Sequence, residues 1–544
     1  MLRINQLKLP VGHSKSDLKQ AVLHLLHISE EELLGFQIFR RSVDARKKPQ
    51  IFYVYTIDVK TLREEKLLKR LKNKVQKITP IRYETPAHGA ESLHHHPVII
   101  GAGPAGLFCA YLLAREGYRP VLLERGASVE ERMQDVNAFW TTGALKPESN
   151  VQFGEGGAGT FSDGKLNTLV KDKCGRNRFV LETFVQFGAP EQILYDQKPH
   201  IGTDVLSEVI PAMRKEIVRL GGEVRFHSKA TDLVIEGNQL RGILVNETEQ
   251  LDAEIAVLAI GHSARDTFQM LYDHNILMQA KSFAVGVRIE HPQQMIQESQ
   301  YGAQMADKLP AAAYKLTENL ENGRGVYTFC MCPGGYVVNA SSEPDRLAVN
   351  GMSYHDRDGE NANSAVIVTV TPDDFPVKGF IADREATGND TVHPLAGVAF
   401  QRELEQKANQ LAKGNVPVQC FGDFCKNKTS ESLGAVVPQI RGQWEFANVR
   451  SVFPEELAVS LEEGIKRMDQ KIHGFAREDA VLSGVESRTS SPVRICRDEQ
   501  FNSSVTGLYP CGEGAGYAGG ITSAAMDGMK TAEALIGKFA PFGS

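Results

Sequence analysis

The chain of 544 residues lacks the features that mark membrane-spanning, secreted and metal-binding proteins. No uncharged apolar run approaches the roughly 18 residues that a membrane-spanning helix needs, and no apolar N-terminal segment precedes a small-residue cleavage site. The eight cysteines include no Cys-x-x-Cys pair, which argues against a zinc ribbon or a thioredoxin-like dithiol and for a reducing compartment. The consecutive histidines 94–96 have no companion ligands at metal-binding spacing. We therefore expect a cytoplasmic protein without a membrane partner or a bound metal.

Positive charge is concentrated in the first part of the chain. Residues 1–96 hold 18 Lys/Arg against 10 Asp/Glu, whereas the other 448 residues hold 43 against 57. Within residues 1–86 the hydrophobic pattern predicts strands over 2–9, 35–43, 51–58 and 75–81, with helices from Ser14 or Ser16 and over 61–73. This β-α-β-β-α-β order is typical of a ferredoxin-like α+β domain. The Pro-, Gly- and His-containing stretch 84–96 predicts a linker.

RNA-recognition modules share this element order, which makes nucleic acid an alternative partner of the basic N-terminal domain. Residues 51–55 place aromatic side chains on the third strand, but strand 2–9 has none for base stacking. The basic residues of helix 61–73 are more simply explained as a solvated face that docks against the acidic remainder of the chain.

The most informative segment follows the linker. A buried strand leads into Gly101, Gly103 and Gly106, a helix follows, and a second strand ends at Glu124. Dinucleotide binding requires this order, because the glycines let the pyrophosphate approach the backbone and the helix N-terminus points free N–H groups at the phosphates. Glu124 would accept the ribose hydroxyls of an adenosine. The same predicted site includes Pro104, Ala105 and Arg125.

A matching half of the site lies near the C-terminus. A short apolar strand ends in Gly512 and Glu513, and Gly519 and Gly520 precede a helix that starts near Ile521. A carboxylate beside a helix N-terminus suits FAD better than NAD, because the positive helix end can stabilise negative charge on a reduced flavin. Here the chain resembles the large flavoproteins with two dinucleotide-binding folds, whose last FAD motif reads Gly-Asp; the acid in this chain is one methylene longer.

The resemblance extends over most of the chain. The apolar strand that ends at Gly261 is similar to the second flavin motif of these proteins, and the segment around Ala230 corresponds to the one that lies over the adenine. Motifs at 154–166, 282–291, 486–495 and 511–521 resemble the bacterial family of uncharacterised FAD-dependent, or NAD(FAD)-utilising, dehydrogenases. The implied fold is α/β, with a split Rossmann-type FAD-binding domain over 97–280 and 430–544 and an inserted β-rich substrate domain over 281–429.

Residues 154–159 contain another Gly-x-Gly-x-x-Gly pattern. No buried strand leads into it and no amphipathic helix follows, so we do not predict a second nucleotide site there. A loop whose backbone lies against the FAD pyrophosphate or the flavin ring is the better explanation. Lys165 would then stabilise an anionic flavin or substrate, although an exposed lysine on a loop is the simpler alternative. The expected loop contacts are Gly156, Gly157, Gly159 and Thr160.

Residues 486–494 combine two guanidinium groups with four hydroxyls. Facing a flavin, Arg488 and Arg494 would orient a small anionic substrate by paired hydrogen bonds, which makes them catalytic candidates together with Lys165. A hydroxyl-rich turn that ties domains together is the alternative. His262 is either a proton relay or, more simply, a hydrogen-bonded structural residue.

Two cysteine pairs are candidates for redox chemistry. Cys420 and Cys425 have the spacing of the redox disulfide in glutathione-reductase-like enzymes, but they fall far too late in the chain. Cys330 and Cys332 precede a tight glycine turn that can bring a thiol to a flavin edge. Packing is the favoured explanation for both pairs, because nucleophilic use needs an electropositive neighbour that the sequence does not show.

The sequence contains no second complete strand-glycine-helix-acid unit for NAD(P)H. Either an organic substrate reduces the FAD directly, or NAD(P)H docks transiently as the reductant. The prediction is thus an FAD-dependent oxidoreductase that passes hydride through flavin N5 to or from a small-molecule substrate. Two alternatives stay open: a flavoprotein that acts on RNA through the N-terminal domain, and a redox-sensing FAD-binding interaction protein. No pattern specifies an oligomeric state.

Overall fold

The computed structural model describes residues 1–72, 74–375 and 392–542. The N-terminal domain consists of β1 (Leu2–Pro10), α1 (Lys15–Leu26), β2 (Leu33–Asp44), β3 (Phe52–Thr61), α2 (Glu64–Arg70) and β4 (Val75–Lys77). Its antiparallel sheet has the order β2-β3-β1-β4, as the ferredoxin-like prediction requires. Ser14 caps α1 in a capping box with Asp17. Helix α2 is shorter than the predicted span 61–73. Leu67 is its one fully buried side chain.

The next segment begins the largest α/β part of the molecule. Its elements are β5 (Val98–Ile100), α3 (Pro104–Arg115), β6 (Val121–Leu123), α4 (Val129–Thr142), α5 (Arg176–Gln186), α6 (Thr203–Arg219), β7 (Glu223–Arg225), β8 (Ala230–Glu236), β9 (Gln239–Val245), β10 (Glu249–Asp252), β11 (Ala256–Leu258), α7 (Arg265–Asp273) and β12 (Met278–Ala280). Strands β8, β9 and β10 form a small antiparallel sheet of their own, and a turn at Gly237 and Asn238 joins the first two.

The remaining elements are β13 (Phe283–Pro292), α8 (Gln293–Tyr301), β14 (Thr317–Asn319), β15 (Gly325–Cys332), β16 (Tyr336–Asn339), β17 (Val349–Met352), β18 (Asn361–Val370), α9 (Ala396–Leu411), β19 (Val416–Cys420), α10 (Phe421–Cys425), β20 (Ile440–Arg441), β21 (Trp444–Phe446), α11 (Glu455–Met468), β22 (Val481–Glu486), β23 (Val493–Ile495), β24 (Leu508–Pro510) and α12 (Ile521–Lys538). Among the described residues, no helix is both long and apolar enough to cross a membrane.

A parallel sheet of order β24-β11-β5-β6-β7 forms the centre of the α/β part. Its strands β5, β6, β11 and β24 are short, apolar and fully buried, because helices pack on one face of the sheet and the small sheet of β8, β9 and β10 packs on the other. Helix α3 packs closely against α12, the helix that follows β24 some 400 residues later in the chain. The predicted α/β class with a split Rossmann-type domain is confirmed by this sheet.

The β-rich part extends further along the chain than the sequence predicts. Its mixed sheet has the order β14-β15-β18-β13-β22-β19-β21, so that residues 444–446 and 481–486 belong to it. Helix α11 packs on the same sheet. The predicted start of the second FAD segment at residue 430 is therefore wrong, and the chain returns to the α/β part only at β23, which pairs with β12. The sequence misplaces this boundary because strand pairing between β13 and β22 spans nearly 200 residues.

The predicted linker, residues 84–96, is fixed to the α/β part rather than solvated along its length. The N–H of Gly89 donates to the carbonyl of Ile536 at 2.8 Å, and the N–H of Glu91 donates to that of Lys538 at 3.2 Å. A Cβ at Gly89 would lie 2.1 Å from the Lys538 backbone. The segment therefore needs glycine where it crosses the end of α12.

Candidate functional site

One large pocket lies between the parallel sheet and the β-rich part. It extends from Glu124, Arg125 and Ala230 at one end to Lys165, Cys330 and Arg488 at the other. The predicted residues that line it are Gly101, Gly103, Pro104, Ala105, Glu124, Arg125, Gly157, Gly159, Lys165, Ala230, Gly261, Arg488, Glu513, Gly519, Gly520 and Ile521. Gly106, Gly156, Thr160, Gly512 and Arg494 are predicted site residues that do not line it.

The glycines after β5 shape one wall of this pocket. Gly101 has a φ of +104°, and a Cβ there would lie 2.5 Å from the carbonyl oxygen of Ala259. A Cβ at Gly106 would lie 1.9 Å from the carbonyl oxygen of Gly101, so this glycine lets α3 pack against the turn. Gly103 has no such conflict and leaves the start of α3 open to the pocket. This cradle fits a pyrophosphate, which the N–H groups of α3 can bind.

Glu124 fixes the same wall through backbone contacts. Its buried carboxylate accepts hydrogen bonds from the N–H groups of Ala102 at 2.8 Å, Gly126 at 2.9 Å and Gly154 at 3.0 Å. An ionised carboxylate has about four acceptor positions, so one is left for a ligand. Glu124 thus ties the first glycine loop to the loop at 154–159 as well as facing the predicted adenosine position.

Arg132 organises the 154–159 loop, and sequence reasoning missed it. Its guanidinium is fully buried and donates to the carbonyls of five residues, which are Asn150, Val151, Gly154, Glu155 and Gly157. As a result Gly157 and Gly159 face the pocket, while Gly156 and Thr160 lie behind the wall against α6 side chains. A helical arginine directly after two glutamates carries no sequence signal for this role, because its acceptors are all backbone atoms.

The C-terminal half of the site supplies a carboxylate and a helix N-terminus. Glu513, Gly519, Gly520 and Ile521 line the pocket, and α12 begins at Ile521. Burial raises the pKa of Glu513 to about 7, although Lys281 partly opposes the shift. Gly512 lies behind this segment, where a Cβ would meet that of Ala105 at 2.7 Å. Distant stretches of the chain therefore converge on one pocket.

Arg125 and Ala230 mark the opposite end of the pocket. The guanidinium of Arg125 bridges Glu148 and Asp266 and lies over the ring of Phe153 at 4.3 Å. Burial disfavours the charge, but these two carboxylates outweigh it and hold the pKa of Arg125 above its usual value. In this structure Arg125 holds together the part of the pocket wall on which it lies.

Lys165 faces the pocket instead of extending into solvent. Its Nζ lies 3.1 Å from a carboxylate oxygen of Asp163 and donates to the carbonyl of Met331. Arg357 also binds Asp163, and its Nε lies 3.0 Å from a carboxylate oxygen of Asp163. Burial would raise the pKa of Asp163, but Lys165 and Arg357 outweigh it and hold this pKa at about 2. The ammonium therefore keeps one N–H for a ligand.

Arg488 lines the pocket, but its paired hydrogen bonds are already made. Nε and Nη2 donate to the two carboxylate oxygens of Glu405 at 3.0 and 2.9 Å, and Nη1 donates to Ser342 at 2.5 Å. Glu405 is completely buried and also binds Arg265. The sequence predicts that Arg488 pairs with a substrate carboxylate; in the structure Glu405 takes that position, so Arg488 positions the wall.

His262 lies beside this ion-pair network. Burial, with the positive charges of Arg488 and Arg265, lowers the pKa of His262 to about 3. The imidazole is therefore neutral near pH 7. It shares a hydrogen bond with the hydroxyl of Ser263 at 2.9 Å.

Arg494, the third predicted catalytic residue, does not line the pocket. Arg494 is exposed on β23, and its guanidinium lies 5.2 Å from the ring centre of Tyr517. Because side chains alternate along a strand, its buried neighbours Val493 and Ile495 point away from solvent while Arg494 points outward.

Cys330 lines the pocket and Cys332 is buried behind it, whereas Cys420 and Cys425 do not line it. Lys165 and Arg288 are the electropositive neighbours that the sequence did not show. The Nη1 group of Arg288 donates to the carbonyl of Cys330 at 2.9 Å. Arg288 is itself paired with Glu486 at 2.8 Å.

Comparisons with known proteins agree with the fold and with FAD as the cofactor. Residues 282–489 match the family described as "FAD-dependent protein, C-terminal domain-like", residues 99–137 match an NAD(P)-binding Rossmann-like domain, and residues 1–60 match a domain of unknown function. An uncharacterised protein of Clostridium beijerinckii is 48% identical over 544 residues, which covers 99% of each chain.

Two solved structures match much of the chain at low similarity. Glycine oxidase from Bacillus cereus has 11% identity and a TM-score of 0.30, covering 81% of this chain and 94% of its own. An L-amino acid deaminase from Proteus myxofaciens has 13% identity and a TM-score of 0.32, covering 85% and 95%.

The fold and the family matches define an FAD-dependent protein with a Rossmann-like dinucleotide-binding domain, and FAD is its cofactor. More closely, the chain belongs to the bacterial family of uncharacterised FAD-dependent proteins to which its Clostridium relative also belongs.

Proposed function

We propose that this protein is an FAD-dependent oxidoreductase that passes hydride through flavin N5 to or from a small substrate. The observation that carries the proposal is the single continuous pocket that joins the glycine turn at Gly101 to the charged end at Lys165 and Cys330. A pocket of this length can hold an extended dinucleotide and still leave one end for a second molecule. Bound FAD supplies the two-electron chemistry, and the chain supplies position and charge.

The residues have separate tasks in this proposal. Glu124 and the start of α3 hold the adenosine and pyrophosphate half of FAD. Glu513 and the start of α12 hold the half that carries the ring, where the positive helix end stabilises negative charge. Lys165 places its remaining N–H toward the same end, and Asp163 keeps this lysine ionised: burial disfavours the cation, but Asp163 outweighs it and raises the pKa of Lys165.

A transiently docked NAD(P)H is the reductant that we propose to test first. Across residues 1–72, 74–375 and 392–542, the structure contains one parallel sheet with a glycine turn of this kind. A nicotinamide cofactor would therefore reach the FAD from the substrate end of the pocket.

An anaerobic screen tests the proposal. Purified holoprotein is mixed with NADH, NADPH and small organic reductants while flavin absorbance is followed. We expect rapid bleaching by at least one of them. Bleaching no faster than that of free FAD with every candidate would contradict the proposal.

The Lys165→Met variant tests the assigned charge. Loss of a preorganised cation should slow flavin reduction by on the order of 10²-fold, because such a group acts where charge develops. Lys171→Met is the matched control, since Lys171 is exposed on the same connection and does not line the pocket. Equal rates for the two variants would remove Lys165 from the site.

A further inference from the structure

The segment that carries Cys330 and Cys332 has an irregular backbone. Both residues lie at the end of β15, where the pairing of β15 with β18 shifts register between Phe329 and Cys332. Cys330 has a φ of +42°, a left-handed conformation that is uncommon outside glycine and asparagine. Residues held in such conformations concentrate at functional sites, where the surrounding structure over-determines them.

The Cys332 thiol lies against Cys330. It donates to the carbonyl of Cys330 at 3.2 Å. Cys330 is half-buried at the pocket surface, whereas Cys332 is completely buried. One thiol thus reaches a molecule in the pocket, and the second is positioned to react with the first.

Cations surround this pair on the protein side. Lys165 donates to the carbonyl of Met331, the residue between the two cysteines, and Arg288 donates to the carbonyl of Cys330. A hydrogen bond from Cys332, with the charges of Lys165 and Arg288, lowers the pKa of Cys330 well below its ordinary value. Burial raises the pKa of Cys332. The half-buried thiol of Cys330 is therefore the nucleophile, and the buried thiol of Cys332 keeps its proton.

Cys330 also lies near the residues that we assign to the flavin half of FAD. It lines the same pocket as Glu513, and the two side chains interact electrostatically. By contrast, the adenosine end at Glu124 lies at the other end of the pocket.

We propose that Cys330 and Cys332 form a redox-active dithiol that exchanges two electrons with the flavin; this inference rests on the proposed oxidoreductase function. In the oxidising direction two S–H bonds break and one S–S bond forms. The two electrons reduce the oxidised flavin to its hydroquinone, one proton goes to N5, and the other goes to the flavin or to solvent. In the reverse direction reduced flavin opens the disulfide and restores both thiols.

Electron counting tests the proposal without a substrate. The holoprotein is first oxidised with diamide, freed of reagent and then titrated anaerobically with dithionite. Wild-type protein should take up four electrons per FAD, two for the flavin and two for the disulfide. Cys330→Ser and Cys332→Ser should each take up two. Cys496→Ser is the control that should keep four, because Cys496 does not line the pocket.

Peptide mass provides a second measurement. Cys330 and Cys332 share the tryptic peptide 325–346, which contains no other cysteine. After diamide treatment this peptide should be about 2 Da lighter and resist alkylation, and dithiothreitol should reverse both changes. Circular dichroism and FAD content check that the serine variants are folded.

The outcomes separate this inference from the proposed function. Two electrons in wild type together with full alkylation of peptide 325–346 would overturn the dithiol, whatever reductant the flavin accepts. If the protein binds no FAD, the oxidoreductase proposal fails. The mass measurement on the same protein still shows whether Cys330 and Cys332 form a disulfide.

Discussion

The two sides of the pocket are built in different ways. One side, here called the glycine wall, consists of residues 101–106, 154–159 and 519–521, and it presents backbone to the ligand. The other, here called the charged wall, presents Lys165, Cys330 and Arg488. On the glycine wall, space is created by the absence of side chains. On the charged wall, buried ions are held by partners that lie far away in sequence.

The difference teaches where each wall is vulnerable. On the glycine wall, a Cβ added at Gly101 or Gly106 would clash with backbone atoms that cannot move aside. The charged wall tolerates changes of volume better than changes of charge, because an unpaired ion in a buried site is strongly unfavourable. The following substitutions separate these two kinds of sensitivity.

Glu405→Gln should have the largest effect, because it leaves Arg265 and Arg488 without their shared buried carboxylate. We expect the free energy of unfolding to fall by about 3–5 kcal/mol. Urea denaturation of the two proteins measures the difference. Glu403→Gln is the control on the same helix, where an exposed pair with Lys407 should contribute less than about 1 kcal/mol. Equal losses in both variants would show that the buried network is not the cause.

Gly106→Ala should damage the glycine wall by about 3 kcal/mol, since its Cβ would lie 1.9 Å from the carbonyl oxygen of Gly101. If that free energy is lost from cofactor binding, the Kd for FAD rises by on the order of 100-fold. Fluorescence titration of apoprotein with FAD measures it. Gly537→Ala has open space around it and should bind FAD normally. Unchanged affinity in Gly106→Ala would contradict the assignment of this wall.

Glu290→Gln should change how stability depends on pH. Glu290 is completely buried on β13, and burial raises its pKa to about 7 from an ordinary value of 4.5. The folded state therefore holds the proton more tightly than the unfolded state. Proton binding to Glu290 therefore contributes to the free energy of unfolding in full below pH 4.5, and this contribution is lost as the pH rises through 7.

Glutamine does not titrate, so its advantage over glutamate should grow between pH 4 and pH 8, by up to about 3 kcal/mol. Unfolding free energies across this range measure the change. Glu298→Gln, at an exposed position of α8, should run parallel to wild type. A pH-independent difference between Glu290→Gln and wild type would contradict the buried, protonated carboxyl.

Arg41→Ala should have the smallest effect. Arg41 pairs with Asp196 at 2.7 Å where the N-terminal domain meets the α/β part, but both side chains are partly exposed. We expect a loss of no more than about 1 kcal/mol and unchanged FAD content. Thermal unfolding and flavin absorbance measure the two. Loss of FAD would show that the N-terminal domain supports the pocket directly.

The accuracy of sequence reasoning differed between the two walls. The turn at Gly101, the acid at Glu124 and the helix after Gly520 follow local patterns, and the structure brings all three to one pocket. Arg494 does not line the pocket, and the guanidinium-rich motif could not show this because it does not reveal which residues of a strand face outward. The predicted domain boundary at residue 430 was wrong because neither strand alone shows that β22 pairs with β13.

The sequence by itself determined the fold class, the cofactor and the backbone path around it. Glycines at fixed spacing permit a close approach that other residues forbid, and that requirement is local. Only the tertiary structure decided the charges: Glu405 occupies the partner position of Arg488, Lys165 donates to the carbonyl of Met331, and Arg288 donates to the carbonyl of Cys330. The physical reason is that a buried ion depends on its partner in space, and here those partners are separated by 42 to 166 residues along the chain.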